Sequence, residues 1–359
     1  MYDSELIQRI HASPVQAVFV VAGGGASALA ALLGEPGASR TVLDARIPYS
    51  GAAMDEFLGN HVESAANEAT ARALAMAAFQ RARALADGPA LAGIAATAAL
   101  ATDRSRRGTD RIHLAYQTAT TTAAGTVTFE RGTRSVQEAH CRALILDVTA
   151  DAMGCGSAGA LDRTAARREW RELLTGDRQQ TLETRPSVLF PGSFNPMHEG
   201  HLAMAAVAQT LTGQAVTLEI SAFNVDKPPI DYIEFRRRSE QDRGPYALTF
   251  TNAPTFVEKA RIFPGVTFVV GIDTITRIGE PRYYGGPEER DAALDELAEL
   301  ECRFLVFGRS AEGLFQTLGD VGIPDRLAAL CDSVPEATFR SDVSSTALRA
   351  AADSQENSK

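Results

Sequence analysis

Short apolar runs alternate with Ala-rich helical stretches along most of the chain. Ala17 to Val21 is an apolar run that ends at Gly23-Gly24-Gly25, and Ala26 to Leu33 continues as a short helix closed by Gly34. Glu63 to Ala86 reads as a long helix whose apolar residues include Leu74, Met76 and Phe79. Leu91 to Ala95, His113 to Tyr116 and Thr126 to Phe129 read as strands, and Ser135 to Met153 as an amphipathic helix. Gly154-Cys155-Gly156-Ser157-Ala158-Gly159 breaks the pattern. Arg163 to Leu174, with the only tryptophan, Trp170, reads as a charged helix, and Gly176 to Pro186 is polar.

Beyond that break the alternation is cleaner. It predicts strand 187–190, helix 200–212, strand 216–221, a helical region near 254–261, strand 266–271, helix 287–300 and strand 303–307. Such alternation implies an α/β chain with a parallel sheet covered by helices on both faces. Two domains are expected, 1–153 and 186–359, joined by a helix-containing linker over 154–185. In parallel sheets ligands bind at the carboxyl ends of the strands.

At one such end stands Pro191-Gly192-Ser193-Phe194-Asn195-Pro196-Met197-His198-Glu199-Gly200-His201-Leu202. An apolar run, a tight polar turn and a helix start present backbone N–H groups and a favourable dipole to an anion. Gly192 allows close approach, and Ser193, Phe194 and Asn195 offer N–H groups. His198 and His201, three residues apart, fall on one face as the helix begins and can donate to one phosphate. The other four histidines, His11, His61, His113 and His140, are isolated and read as structural.

Further candidates follow other predicted strands. Asn224-Val225-Asp226-Lys227-Pro228-Pro229 supplies Lys227 as a mobile point charge. Arg236, Arg237 and Arg238 come next, and the sequence does not choose among them. Gly271 and Asp273 close the run Phe268 to Ile272; Asp273 can bind a ribose hydroxyl, a base amine or a hydrated metal ion, or serve only as a helix cap. Gly308 and Arg309 repeat the arrangement. Val343-Ser344-Ser345-Thr346 can open a helix with hydroxyls and N–H groups, and Arg349 adds charge one turn on.

Composition narrows the classes. The net charge of −10 argues against a general nucleic-acid binder, and no run approaches a membrane span. Cys141, Cys155, Cys302 and Cys331 are scattered without metal-ligand spacing, so reduced thiols and a cytoplasmic setting are expected. The 35 basic residues include only three lysines, Lys227, Lys259 and Lys359. In so lysine-poor a chain, a lysine beside a phosphate motif stands out.

Gly192-Ser193-Phe194-Asn195-Pro196-x-His198-x-Gly200-His201 together with Val343-Ser344-Ser345-Thr346-x-x-Arg349 resembles the nucleotidyltransferase superfamily, most of all nicotinamide or nicotinate mononucleotide adenylyltransferases. The resemblance spans roughly 186–350. It implies a Rossmann-like domain, ATP with Mg²⁺, and attack by a mononucleotide phosphate on the α-phosphate with pyrophosphate leaving. His198, His201 and Lys227 would act on the reacting phosphates, and Ser344, Ser345, Thr346 and Arg349 on the β- and γ-phosphates. The same histidine motif occurs in pantetheine-phosphate and cytidylyl transferases, so the acceptor and the choice of ATP over CTP stay open.

Residues 16–150 resemble the C-terminal domain of the CinA-type competence-damage-inducible proteins, through Gly23-Gly24-Gly25, Gly37-Ala38-Ser39-Arg40 and Pro48-Tyr49-Ser50. The resemblance implies an α/β/α domain and, in the family's amidase members, nicotinamide mononucleotide deamidation. Those members carry Glu-Ser-Cys-Thr-Gly-Gly where this chain has Ala22-Gly23-Gly24-Gly25-Ala26-Ser27, and a lysine after the Tyr-Ser. No lysine precedes position 227. A serine nucleophile such as Ser27 needs a base, so a domain without amidase activity is expected, kept for ligand binding, dimerisation or support. Gly23 to Gly25 remain a candidate phosphate cradle. A hydrolase acting through this half and a non-enzymatic nucleotide sensor are the alternatives to a transferase.

Overall fold

A computed structural model describes residues 2–88, 90–103, 108–159, 161–223, 229–311 and 314–340. The chain forms two compact units: one of residues 1–171 with 226–236, the other of 172–225 with 237–359. Two candidate groups, Lys227 and the cluster Ser344, Ser345, Thr346 and Arg349, lie outside the described residues.

The elements of the first stretch are α1 (Tyr2–Ala12), β1 (Gln16–Ala22), α2 (Ala26–Gly34), β2 (Val42–Arg46), α3 (Gly51–Leu58) and α4 (Glu68–Leu85). They continue with β3 (Leu91–Ala99), β4 (Asp110–Thr118), β5 (Thr121–Phe129), α5 (Arg134–Ala152), β6 (Asp162–Ala165) and α6 (Arg168–Thr175). The six-stranded sheet runs β2-β1-β3-β4-β5-β6. β1 pairs in parallel with β2 and β3, and the pairs from β3 to β6 are antiparallel. The sheet is therefore mixed.

β1 is buried at every residue after Gln16 because both faces are covered. Phe19 and Val21 meet Leu6, Ile10, Leu29 and Ile145 from α1, α2 and α5. Val18 and Val20 alternate to the opposite face, the side of α4.

Two expectations need correction here. The helix expected over Glu63 to Ala86 starts at Glu68, because Asn67 caps it by accepting from the Thr70 N–H at 2.6 Å. The helix expected over Arg163 to Leu174 gives way at its start to β6, where Arg163 and Thr164 pair with Ala123 and Thr122 of β5. A strand partner outweighs the local helical tendency.

The first unit also holds residues 229–236, drawn from the second half of the sequence. Asp231 and Glu234 pair with Arg72 at 2.8 and 2.9 Å. The Tyr232 hydroxyl donates to the Ala119 carbonyl at 2.7 Å, and its N–H to the Thr122 hydroxyl at 3.0 Å. Phe235 stacks on Trp170 at 5.4 Å.

The second stretch runs β7 (Val188–Pro191), α7 (Glu199–Thr212), β8 (Val216–Ser221), α8 (Tyr232–Ser239), β9 (Ala247–Thr251), α9 (Phe256–Ile262), β10 (Thr267–Gly271), α10 (Ile272–Ile278) and α11 (Pro287–Glu299). It ends with β11 (Arg303–Phe307), the hairpin β12 (Arg309–Ala311) and β13 (Leu314–Gln316), α12 (Asp325–Ala328) and β14 (Cys331–Val334). Its six-stranded sheet is ordered β14-β11-β10-β7-β8-β9, and every pairing in it is parallel.

This is the doubly wound order. The chain builds outward from β7 through β8 to β9, then returns to the other side of β7 for β10, β11 and β14. The direction of winding reverses between β7 and β10, which is where such sheets open a ligand crevice at their carboxyl edge. Leu189, Phe268, Val270, Phe304 and Val306 pack against α9, α10 and α11 on one face. Phe190 alternates to the other face, toward α7.

All four cysteines are unpaired. Burial pushes the Cys141 thiol up to about 12, which makes it unreactive near neutral pH. Among the described residues no helix is long and apolar enough to cross a membrane.

Candidate active site

β7, β10 and β11 are consecutive neighbours, so the segments leaving their carboxyl ends share one edge. Gly192 to His201 leaves β7, Asp273 follows β10, and Arg309 follows β11. The fold thus brings three of the sequence candidates to the switch point.

The turn after β7 is shaped by one buried ring. Phe194 is 2% exposed and sits at φ 41°, a left-handed conformation that costs a side-chain-bearing residue energy. Its ring lies edge-on to Phe190 at 5.3 Å and to His201 at 5.1 Å. A Cβ on Gly192 would come within 2.7–3.0 Å of that ring. A side chain here would have to push the inward ring aside, and the Gly192 N–H donates to the Glu219 carbonyl at 2.9 Å.

Side chains from the end of α8 and just beyond it hold the turn. Gln241 Nε2 donates to the Phe194 carbonyl at 3.0 Å, and its Oε1 accepts from the Met197 N–H at 2.7 Å. Arg238 donates to the Ser193 carbonyl. Of the three arginines the sequence does not separate, Arg238 reaches this turn. Gln241 went unseen, because one polar residue in a loop carries no periodicity or spacing signal.

His198 is the N-cap of α7 and His201 its third residue. Their rings stack at 3.6 Å between centroids and 24° between planes. The His198 N–H donates to His201 Nδ1 at 3.4 Å. An imidazole that accepts through Nδ1 and is neutral carries its proton on Nε2. Burial, with the neighbouring His198 adding to it, pulls the His201 pKa down to about 4. Burial also lowers that of His198. His201 is thus a neutral hydrogen-bond donor at physiological pH.

Asp273 lies in the first turn of α10, whose N-cap is Gly271, so Asp273 is not the cap. It pairs with Arg309, and both side chains are about half exposed. Among the described residues, a Cβ at Gly271 would meet nothing within 4 Å.

The glycine loop of the first unit is already filled. The Glu138 carboxylate accepts from the Gly25 N–H at 2.9 and 3.0 Å. It also accepts from the Ser27 N–H at 3.4 Å and the Ser27 hydroxyl at 3.2 Å. Gly23 sits at φ 76°, and a Cβ there would fall 1.9 Å from the Ala98 carbonyl oxygen. These glycines serve a close-packed turn. Of the two readings of Gly23 to Gly25, a tight turn and a candidate phosphate cradle, the geometry is that of the turn, and the Gly25 and Ser27 N–H groups are taken by an internal carboxylate.

The remaining histidines sit in local roles. His11 is buried between the Thr41 hydroxyl, at 2.9 Å, and the Leu32 carbonyl, at 3.0 Å. His113 bonds the Thr126 hydroxyl at 2.7 Å, His61 pairs with Asp55 at 2.8 Å, and the His140 ring lies 6.0 Å from that of Phe129. Among the described residues no group of three or more His, Cys, Asp or Glu side chains is gathered as a metal site.

A parallel sheet in doubly wound order, with a glycine-led turn and paired histidines at its switch point, is the frame of a nucleotide-handling enzyme. Residues 189–241 match the cytidylyltransferase-like family, and the chain carries a nucleotidyltransferase domain in its C-terminal half. The chain is similar to the probable nicotinate-nucleotide adenylyltransferase of Gloeobacter violaceus, with 28% identity over 179 residues, 45% of this chain and 81% of that protein. Solved structures similar to the first half include a competence-damaged protein (CinA) superfamily protein from Enterobacter cloacae, with TM-score 0.35 and 18% identity over 42% of this chain and 92% of that one. Another is the competence/damage inducible protein CihA from Agrobacterium tumefaciens, with TM-score 0.32 and 21% identity over 42% and 92%.

Proposed function

We propose that this chain transfers the adenylyl group of ATP to nicotinate or nicotinamide mononucleotide. An oxygen of the mononucleotide phosphate attacks the α-phosphorus of ATP, the bond from that phosphorus to the bridging oxygen breaks, and pyrophosphate leaves with the electron pair. The products are the dinucleotide and pyrophosphate. The observation that carries this reading is the stacked His198/His201 pair opening α7 at the switch point. The similarity to a nicotinate-nucleotide adenylyltransferase supports the choice of acceptor.

In-line transfer of this kind needs positioning and charge stabilisation rather than a covalent nucleophile. His201 donates its Nε2–H to a phosphate oxygen on which charge builds, and the ring stays neutral at neutral pH. His198 supplies the second donor. The N–H groups of Ser193 and Asn195 and the start of α7 add their dipoles. Lys227, and Ser344, Ser345, Thr346 and Arg349 on the β- and γ-phosphates, complete the assignment from their motifs. Mg²⁺ enters with the triphosphate, and Asp273 is the carboxylate at this edge suited to its hydration shell or to the ribose. The setting is cytoplasmic, the substrates are small molecules rather than nucleic acid, and pairing of two copies through the first unit is compatible with this scheme.

A hydrolase reading through the first unit is not favoured, because Ser27 and the N–H groups beside it are engaged by Glu138. The test is to incubate the purified protein with Mg-ATP and each pyridine mononucleotide and to measure dinucleotide and pyrophosphate. Formation of both in equal amounts is expected. No dinucleotide from either acceptor, with pyrophosphate released from CTP or with a pantetheine phosphate, would overturn the assignment.

A further inference from the structure

Two buried charges lie beneath the carboxyl edge of the second sheet, and the transfer scheme above uses neither. Lys259, in α9, is 4% exposed, and Glu219, in β8, is 1% exposed. Lys259 Nζ donates to Glu219 Oε1 at 2.9 Å and to the Ala253 carbonyl at 2.5 Å. The Thr251 hydroxyl donates to the same Oε1 at 2.5 Å. The Ser221 hydroxyl donates to the Ala253 carbonyl at 2.9 Å.

We infer that the Glu219–Lys259 pair is a positioning device for the transfer reaction rather than a stabiliser of the fold. Burying two charges costs so much solvation that an apolar pair of the same volume usually serves stability as well or better. The chain has only three lysines, and one of them is spent in this interior position. What the pair does have is reach across two strand ends, from a strand that also anchors the histidine turn through its main chain. Its carboxylate stands on β8 opposite Pro191 of β7, and the main-chain carbonyl of the same Glu219 takes the Gly192 N–H that starts the histidine turn. Its ammonium holds Ala253, just past the end of β9, and Ser221, the last residue of β8, holds the same carbonyl. Lys259 is itself held in register by the cap of α9, where Thr255 and Glu258 bond each other reciprocally at 2.8 and 3.3 Å. The pair therefore sets the relative heights of the β8 and β9 ends, and β8 in turn carries the carbonyl that anchors the histidine turn. Reacting groups displaced by about 1 Å can lose on the order of a hundredfold in rate.

This inference rests on the transferase reading, and its test separates the two. The double variant Glu219→Gln/Lys259→Met removes both charges, keeps the volume and leaves an acceptor for Thr251. Thr251→Val, which deletes the bond to Glu219 and the longer one the hydroxyl accepts from the Ala253 N–H at 3.4 Å, is the milder companion if the double variant does not fold. Thermal unfolding, steady-state kinetics and calorimetric binding of a non-hydrolysable ATP analogue are measured on the full chain. The expected result is a Tm within about 3 °C of the wild type, a kcat lower by at least roughly tenfold, and analogue affinity lower by only about threefold. Thr251→Val should shift the same quantities in the same direction by less. Wild-type kcat and affinity in a variant that lacks the charges would overturn the inference. So would a large fall in Tm with normal turnover per folded molecule. If the wild type itself turns over no acceptor, the proposed function fails, and the analogue affinities of wild type and variant still decide the role of the pair.

Discussion

The imidazoles of His198 and His201 lie 3.6 Å apart in near-parallel planes, and the backbone N–H of His198 points at Nδ1 of His201. The second ring is thereby fixed in tautomer by the first residue's main chain and fixed in place by the Phe194 edge behind it. A donor prearranged in this way needs no reorganisation when charge develops on a phosphate, which is the condition under which one hydrogen bond is worth most to a rate.

His201→Ala should therefore lower kcat by at least roughly 10²-fold, the scale of losing one preorganised donor. His201→Gln, which keeps an N–H at similar reach, should recover part of that loss. Pyrophosphate release under saturating ATP and acceptor measures both. A near-normal rate for His201→Ala would remove this ring from the chemistry.

The same ring makes stability depend on pH. Its pKa is about 4 in the folded protein against an ordinary 6.5, so between these values the unfolded chain takes up a proton that the folded chain refuses. Stability must then rise with pH across that window. This contribution is complete above about 6.5 and is lost as pH falls toward 4, amounting to about 3 kcal/mol. His201→Phe, an aromatic that does not titrate, should flatten this part of the slope. Urea unfolding at several pH values for the two proteins gives the comparison, and parallel curves would contradict it.

Gly192→Ala should displace the Phe194 ring, because the added methyl lies within 2.7–3.0 Å of ring carbons. Overpacking of this kind costs about 1–3 kcal/mol. The moved ring also backs His201, so kcat should fall along with Tm. An alanine variant with unchanged Tm and kcat would show that the ring yields freely.

Arg72 in the first unit satisfies two carboxylates, Asp231 and Glu234, brought to it from the other half of the sequence. Asp231 is 4% exposed. Arg72→Met should leave that carboxylate buried without its cation, at a cost of about 3–5 kcal/mol. Adding Asp231→Asn should restore much of the loss. Denaturant midpoints of the single and double variants test this, and additive losses would count against coupling of the two groups.

The turn at 192–201 was legible in the sequence because its meaning is local. A glycine, a polar turn and two histidines at the start of a helix lie within one run of chain. The buried parallel strands β7, β10 and β11 were legible for the same reason, since a strand covered on both faces is mostly apolar, and β8 was legible through Val216, Leu218 and Ile220 alternating with polar residues. β9 and β14 went unread. Three of the five residues of Ala247–Thr251 are threonine or alanine, and Cys331–Val334 is a short segment at the sheet edge with two polar residues, so neither carries the apolar run of a central strand. Lys259 did carry a signal, its rarity, but rarity alone did not say that it was buried.

What the chain's order of residues determined by itself is the layered α/β plan and the location of the histidine turn, because periodicity, caps and turns depend on neighbours a few positions away. Tertiary structure alone decided that Glu138 fills the glycine loop, that Gln241 and Arg238 pin the histidine turn, that residues 229–236 belong to the first unit, and that Lys259 meets Glu219. Each of these joins groups that are distant along the chain. Which polar partners meet is set by strand order and helix packing, and no local pattern of hydrophobic and polar positions encodes that.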